Sequence, residues 1–276
     1  MYFSLGGEQP TDVHLDITLP NVLLKLNSID EWTEEEIYER LGEPRTEIPR
    51  TSPESNVGES APRYIVEAAA APDERFLKED AFLIDLGVSF LFDTLPSPED
   101  IGVPLMYRAP EVMFEEKYDH FSDVWSLGCL LFEIRAGTPL ISSFVGAFDD
   151  IVRQWVQTKG RLPSPWWESW DARAEYFDER GKPLAEPVNR INMAVEYTLA
   201  EKIAEIGTED GGGDSEEDSE DTPAALQPSM LELAGERVPQ AEASDMEDLL
   251  DKILQWKPEE RLSCEEILKH PWLASV

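Results

Sequence analysis

The sequence predicts a mainly α-helical fold with a few short strands and two long inserts. Residues 124–134, VWSLGCLLFEI, are apolar nearly all round a helical projection, which is typical of a helix buried on every side. Capping boxes at Thr33 and Ser263, each with a Glu three residues later, indicate the starts of two more helices. The apolar runs at 22–24 and 81–84 have only the length of short strands.

Composition and charge limit the classes of protein to consider. The 276 residues are enough for one or two domains with a substantial core. A net charge of −35 argues against direct nucleic-acid binding and favours basic partners or solvated acidic segments. The two cysteines suggest no disulfide framework, and the chain has neither a secretory-type start nor an apolar run of membrane-spanning length. We therefore expect an intracellular protein of the cytoplasm, the nucleus or both, with no membrane partner.

The first insert covers residues 27–78. Within it, Thr33 and Glu36 form the capping box and Gly42 stops the helix, so that one short helix is predicted over about 33–41. The remainder is rich in Pro, Ser, Glu and Ala, which predicts chain that follows the surface or moves.

The central helix has signals at both ends. Ser122 and Asp123 stand where a side-chain oxygen can accept the free N–H groups of a first turn. Gly137 stands where a C′ glycine ends a helix. The helix is therefore predicted to begin at Ser122 or Asp123.

The rest of the chain alternates helices with loops. Residues 149–157 have helical spacing, and 163–170 form an aromatic-rich loop and turn for which packing is favoured over ligand stacking. Residues 207–240 include TEDGGGDSEEDSEDT and are predicted to be an acidic, disordered insert. Ser244 is predicted to cap one helix, and Cys264–Lys269 forms the last.

Five polar motifs follow one another along the chain. They are His14, Asp16 and Asn21 in HLDITLPN, Asp85 and Gly87 in DLG, Glu111 in APE, Asp123 in SDVWSLG, and Arg261 in KPEERLSCEEILKHPWL. Their order and separations resemble those of the C-terminal lobe of eukaryotic protein kinases. The segments WTEEEIYERLGEP and GRLPSPWWESW further resemble fungal members of the SR-protein kinase (SRPK) group.

This resemblance implies roles for the polar residues. Asp16 would orient the acceptor hydroxyl and take its proton, because a carboxylate in this loop is the family's catalytic base. Asn21 and Asp85 would hold the Mg²⁺ ion that bridges the phosphates of ATP. Leu23, with Asp85, would contact ATP.

Other positions are implied to be structural. Asp123 would accept hydrogen bonds from the backbone of the catalytic loop, and Glu111 would form a buried ion pair with Arg261. His14 and Gly87 would shape the loops that contain them, and Leu91 to Met106 would be the activation segment.

Some family features are missing or altered. The sequence contains no G-x-G-x-x-G loop, no V-A-I-K lysine ahead of His14 and only thirteen residues before it. Residues 1–276 are therefore expected to form an incomplete kinase domain, with weak or absent ATP binding in isolation. Leu15, Thr18 and Pro104 replace the Arg, Lys and Thr that the family usually has, which bears on phospho-activation and hydroxyl selectivity.

Three functional hypotheses follow. The first is an SRPK-like serine/threonine protein kinase that uses ATP and Mg²⁺ on protein substrates, for which the SRPK resemblance suggests Arg/Ser-rich proteins. The second is a non-catalytic, kinase-like binding module. The third, a small-molecule phosphotransferase, explains H-x-D-x-x-x-x-N and the second Asp but leaves APE, DVWSLG and Arg261 without a role.

Overall fold

The computed structural model describes residues 12–49, 62–67, 74–91, 103–143, 146–186, 193–208 and 237–274. It divides into two compact units, one made of Met1–Val22 with Leu83–Val276 and the other of Leu23–Phe82. The described residues are mainly helical, with short strands in two-stranded sheets, as the sequence predicts.

The described elements are short apart from three helices. The strands are β1 Asp12–Val13, β2 Val22–Leu26, β3 Thr46–Glu47, β4 Ile65–Val66, β5 Leu77–Leu83 and β6 Phe90–Leu91. The helices are α1 Glu34–Leu41, α2 Pro110–Glu115, α3 His120–Ala136, α4 Phe148–Lys159, α5 Ser164–Ser169, α6 Arg173–Tyr176, α7 Leu199–Ala204, α8 Gln240–Ile253, α9 Cys264–Leu268 and α10 Pro271–Ala274. The sheets pair β1 with β6, β2 with β5 and β3 with β4.

The second unit contains the predicted short helix. Thr33 caps α1: its Oγ1 accepts a hydrogen bond from the Glu36 N–H at 3.2 Å, and its own N–H donates to Glu36 Oε2 at 2.8 Å. The helix at 33–41 is therefore confirmed to within one residue. Trp32 packs edge-on against Phe76 at 5.0 Å and lies under the Arg40 guanidinium, which fixes α1 to the 3₁₀ turn just before β5.

Helix α3 is the buried centre of the first unit. Val124, Trp125, Cys129 and Leu130 are each 3% exposed or less. Its start differs from the prediction, because Asp119 is the N-cap and accepts from the N–H groups of the first turn.

Because α3 begins at His120, Asp123 is not needed as the N-cap. With Asp119 already satisfying the helix end, the Asp123 carboxylate faces a different segment of the chain. The predicted stop is confirmed: Gly137 caps the C-terminus with a φ of 74°.

Helix α8 packs closely on α3. A Cβ atom on Gly128 would come within 2.6 Å of Ile253 Cγ2, so the glycine permits the approach of the two helices. Trp125 packs edge-on against Trp155 of α4 at 5.6 Å and stacks on Trp256 at 6.0 Å. Helices α3 and α4 and the segment after α8 thus meet around Trp125.

Two further predictions need correction. Helix α8 begins at Gln240 with Pro239 as N-cap, so Ser244 lies inside the helix rather than at its start. Residues 164–169 form the helix α5 where a loop was predicted, since the fixed backbone of Pro165 suits a first turn. The packing role of its tryptophans is confirmed, because Trp166, Trp167 and Trp170 are buried.

The end of the chain follows the prediction for α9, but α9 is not the last helix, because α10 begins at Pro271, a residue that suits a first turn. Ser263 and Glu266 form the capping box that opens α9. Most of the predicted acidic insert, at 209–236, and most of the predicted activation segment, at 92–102, lie outside the described residues. No helix in the described ranges is long and apolar enough to cross a membrane.

Candidate active site

The site begins at the segment that follows β1. Val13 of β1 pairs with Phe90 of β6 in an antiparallel register, so the HLD and DLG motifs flank the same small sheet. The Ser89 hydroxyl also donates to the His14 carbonyl at 3.3 Å. Motifs separated by some seventy residues are therefore adjacent.

Leu15 has a strained backbone within this segment. Its φ is 64°, in the left-handed region that a bulky side chain rarely adopts, and such a residue costs about 1 to 3 kcal/mol. Its side chain is buried at 4% exposure. The surrounding contacts must therefore hold the conformation in place.

Asp123 stabilises the strained backbone of Leu15 through two hydrogen bonds. The His14 N–H donates to Asp123 Oδ2 at 2.7 Å, and the Leu15 N–H donates to Oδ1 at 2.9 Å. These are the hydrogen bonds that the resemblance implies for Asp123. Desolvation raises the pKa of Asp123 to about 6, the two backbone donors oppose that rise, and the nearby charge of Asp119 adds to it.

Asp16 and Asn21 are joined across the turn of the loop. The Asn21 Nδ2 group donates to the Asp16 carbonyl at 3.0 Å and to Asp16 Oδ2 at 2.7 Å. Asp16 Oδ1 is buried and has no hydrogen-bond partner among the described residues. A buried carboxylate oxygen without a donor is costly, and an incoming hydroxyl group would satisfy it.

Asp85 reaches the same place from the other motif. The Ile84 N–H donates to the Asn21 carbonyl at 2.9 Å, which sets the residue before Asp85 directly beside Asn21. Asp85 has a φ of 64° and its Oδ1 accepts from the Gly87 N–H at 3.3 Å. A Cβ on Gly87 would come within 3.1 Å of that oxygen, which explains a small residue there.

The residues present fit a magnesium ion. Both hydrogen bonds of the Asn21 amide use Nδ2, so its Oδ1 remains available, and the exposed Asp85 carboxylate offers further oxygens. Mg²⁺ prefers oxygen ligands and takes few of them from the protein. The described residues contain no group of three or more His, Cys, Asp or Glu side chains able to hold a metal, so a Mg²⁺ ion here would depend on phosphate and water oxygens as well.

The pKa of His14 is affected by burial and by the acidic residues of the site. Burial lowers its pKa, while the charges of Asp16 and Asp85 act in the opposite direction. The Asp16 N–H donates to His14 Nδ1 at 3.2 Å, which requires that nitrogen to be unprotonated. The ring is therefore neutral and positions the backbone of Asp16.

Leu23 is the one predicted site residue in the second unit. It lies on β2 and its side chain is 49% exposed. Its assignment to ATP contact remains a prediction.

Glu111 and Arg261 form the ion pair expected from the resemblance. Two bonds of 2.7 Å join Arg261 Nη1 to Glu111 Oε1 and Arg261 Nη2 to Glu111 Oε2. The Glu111 side chain is 4% exposed and the Arg261 side chain is 0% exposed. Arg261 Nη1 also donates to the Phe121 carbonyl, and the guanidinium stacks over Trp125, so the pair joins α2, α3 and the segment before α9.

Sequence reasoning missed one polar connection. The Tyr107 hydroxyl donates to Glu133 of α3, and burial together with this bond raises the pKa of Tyr107. The Ser126 hydroxyl donates to the Tyr107 carbonyl at 2.8 Å. Glu133 is the only charged residue in the otherwise mostly apolar run 124–134, and that exception could have indicated a polar partner.

Two altered positions have different environments. Thr18 is buried at 4% exposure, and its carbonyl accepts from the Asn21 N–H at 3.0 Å. Pro104 is exposed and caps a single 3₁₀ turn at Leu105–Tyr107. Thr18 therefore stabilises the loop from a buried position. A lysine at this position would have to extend its charged end out to solvent.

Comparisons with known proteins identify a family and several related sequences. Residues 76–273 match the protein kinase domain. The probable serine/threonine-protein kinase dyrk2 of Dictyostelium discoideum is 26% identical over 171 residues, which is 62% of this chain and 15% of the relative. The serine/threonine-protein kinase SRPK of Physarum polycephalum is 26% identical over 174 residues, 62% of this chain and 33% of the relative.

A third relative has the longest alignment of these three. Homeodomain-interacting protein kinase 4 of Mus musculus is 26% identical over 209 residues, 70% of this chain and 31% of the relative. The chain thus spans a third or less of the length of these proteins. The domain match includes Asp85, Glu111, Asp123 and Arg261 but begins after Asn21, so the placement of His14, Asp16 and Asn21 rests on the geometry.

Proposed function

The chain belongs to the protein kinase domain family, and we propose that it contributes the catalytic loop and the metal-holding residues of a serine/threonine protein kinase. Two of the relatives named above are serine/threonine-protein kinases by name and the third is a protein kinase by name, which supports this class of reaction. Phosphoryl transfer depends mainly on positioning and charge neutralisation. The described residues are suited to both tasks.

The observation that carries the proposal is the free oxygen of Asp16. Its Oδ1 is buried without a donor, while Oδ2 is tied to Asn21. A serine or threonine hydroxyl that donates to Oδ1 would point its oxygen towards the phosphate and lose its proton to the carboxylate as the new bond forms. Asp123 maintains this arrangement through the backbone of His14 and Leu15.

Asn21 and Asp85 would hold the metal. The bond from the Ile84 N–H to the Asn21 carbonyl joins the backbones beside these two residues, which supports a shared site. Mg²⁺ with ATP would supply the phosphoryl group and offset its negative charge. Loss of either side chain should therefore weaken metal binding more than it weakens folding.

We also propose that the substrate is Arg/Ser-rich. Support comes from the SRPK relative and from the net charge of −35. Because exposed charges are screened beyond about 8 Å at physiological ionic strength, such binding should weaken steeply with salt. An Arg/Ser-rich peptide should bind and a peptide with Glu in place of Arg should not, and equal binding of the two would contradict the proposal.

Transfer should further require a phosphate clamp. The sequence has no glycine-rich loop and no V-A-I-K lysine, so we expect negligible transfer by this chain alone. A second candidate function, a non-catalytic binding module, is favoured by Leu15 and Thr18, which replace charged residues of the family and are both buried.

The experiment compares the chain with a fusion to the small lobe of a related serine/threonine kinase, using an Arg/Ser-rich peptide and labelled ATP. The fusion should phosphorylate the peptide. Asp16→Asn and Asp85→Asn should each reduce the rate by about 10²- to 10⁴-fold. Asp171→Asn is the matched control, because Asp171 is an exposed aspartate outside the site.

Each unfavourable outcome has a separate meaning. Transfer by the unfused chain at the rate of the fusion would refute the need for an added phosphate clamp. Equal activity of the Asp16, Asp85 and Asp171 variants would refute the assignment of the site. If the fusion binds ATP but transfers no phosphate, the assignment as a kinase would be rejected in favour of a non-catalytic binding module.

A further inference from the structure

We propose that Asp123 is a proton-controlled latch on the loop that holds Asp16: uptake of one proton by the Asp123 carboxylate releases one of the two backbone N–H groups that it binds. The catalytic loop then relaxes from its strained conformation. The latch would make the geometry of the loop sensitive to mild acidification.

The first support is the way in which the carboxylate is used. Each of its oxygens accepts one backbone N–H, Oδ2 from His14 and Oδ1 from Leu15. A protonated carboxyl has a hydroxyl hydrogen on one oxygen, and that oxygen becomes a poor acceptor for an N–H group. Protonation therefore removes one bond and converts the other from a charge-assisted bond to a neutral one.

The second support is the strain stored beside the latch. Leu15 has a φ of 64°, and its N–H bond to Asp123 is one of the contacts that oppose relaxation to an ordinary conformation. The segment continues directly to Asp16, whose own N–H bonds to the His14 ring. A change at Leu15 therefore reaches the carboxylate proposed to bind the substrate hydroxyl.

The third support is a small cavity at Asp123. Its volume is about 10 Å³, and Leu15 is the only catalytic-loop residue among those that line it. The other lining residues lie between Val103 and Ser126, in and around α2 and the start of α3. If the loop moves, most of the residues around the Asp123 carboxyl group therefore stay in place. Asp123 then remains buried in the released state.

The charged and titratable groups that face Asp123 come from several elements. The Asp119 carboxylate lies one turn earlier on the same helix and raises the pKa of Asp123, while Arg108 and Tyr118 line the same cavity. The neutral His14 ring belongs to the loop, and the thiol of Cys264 on α9 has its pKa raised in part by Asp123. Among the described residues no salt bridge of Asp123 is present.

The direction of the effect follows from proton linkage. The two N–H groups lower the pKa of Asp123, and desolvation raises it. When the loop is released, Asp123 loses these two hydrogen bonds but remains buried. The pKa of Asp123 is therefore higher in the released state than in the bound state, and acid favours release. Global unfolding has the opposite sign, because full exposure returns the carboxyl to its lower, ordinary pKa.

The test is an NMR titration of the full-length chain. The backbone amide signals of His14 and Leu15 should shift together with a midpoint near pH 6, the pKa of Asp123. The hydrogen-exchange protection of at least one of these amides should fall about tenfold across the transition. The Asp16 amide donates to the His14 ring and therefore monitors that ring separately.

Two variants assign the transition. Asp123→Asn cannot take up the proton, so its Leu15 amide should show no midpoint near pH 6 and should no longer shift together with the His14 amide, while the His14 and Asp16 amides still respond to the His14 ring. Asp119→Asn keeps an N-cap side chain but loses the like charge, so the midpoint should move to lower pH. Asp171→Asn, distant in the chain and exposed, should leave it unchanged.

Several results would overturn the latch. One is the absence of any common transition of the His14 and Leu15 amides in the wild-type chain. Another is a common transition of these two amides that persists in Asp123→Asn. If Asp123→Asn does not fold, a midpoint that stays in place in Asp119→Asn refutes the assignment on its own.

Discussion

Replacing Arg261 with Ala should destabilise the first unit by about 3 to 5 kcal/mol, because the change leaves the buried Glu111 carboxylate without its cation. The Ser122 hydroxyl would remain as a donor to Glu111 at 3.1 Å, but two bonds of 2.7 Å would be lost. The carbonyls of Phe121 and Gln255 would also lose the guanidinium as donor. The cost is therefore expected at the upper end of the range for single substitutions.

The assay is urea unfolding followed by tryptophan fluorescence, supported by thermal melts. For a unit of this size, each kcal/mol corresponds to about 2 to 4 °C in Tm, so the expected loss is about 6 to 20 °C. The urea midpoint should fall with an unchanged slope, which indicates lost stability rather than an altered unfolded state.

Two matched variants separate burial from charge. Lys257 forms an ion pair with Glu260, but these side chains are 58% and 50% exposed, so Lys257→Ala should cost less than about 1 kcal/mol. The double variant Glu111→Met with Arg261→Met should recover much of the loss, since an apolar pair leaves no uncompensated charge. Equal losses in Arg261→Ala and Lys257→Ala would refute the argument.

Three more outcomes follow from the structure. Gly128→Ala should cost about 1 to 3 kcal/mol in urea unfolding, because the new methyl group meets Ile253 at 2.6 Å; a neutral result would show that α8 can shift. Thr33→Ala should cost about 1 kcal/mol and speed exchange of the Glu36 amide, whereas Thr33→Ser should not, and equal exchange in both would rule out the cap. Since burial lowers the pKa of His14 from 6.5, its contribution to stability is present above pH 6.5 and is lost as the pH falls below it. The penalty of His14→Gln should therefore be larger near pH 7.5 than near pH 5.5, and the reverse order would contradict this sign.

Local signals in the sequence predicted some elements well. The capping boxes at Thr33 and Ser263 identified α1 and α9, since both partners of a box lie within four residues. The N-cap preference alone misplaced the start of α3, where Asp119 and Asp123 each have the chemistry of an N-cap. Which of them caps the helix depends on the tertiary fold, because Asp123 bonds a segment more than a hundred residues away.

Long-range contacts were accessible only through the family resemblance. Glu111 and Arg261 are 150 residues apart, and nothing in composition or periodicity joins them. The left-handed backbone of Leu15 had no sequence signal, since a leucine at positive φ contradicts local preference. The structure explains it by Asp123, whose two bonds compensate for a conformation that the residue would otherwise avoid.

Asn21 and Asp85 are proposed to form one metal site beside Asp16, and manganese binding monitored by NMR tests this proposal most directly. Mn²⁺ can replace Mg²⁺ at oxygen ligands and broadens the signals of nearby nuclei. Added to the full chain with ATP at low ratio, it should broaden the amide signals of Asn21 and Asp85 first, and Asp85→Asn should abolish the broadening at both. Broadening that begins elsewhere, or that persists at Asn21 in Asp85→Asn, would contradict a shared site.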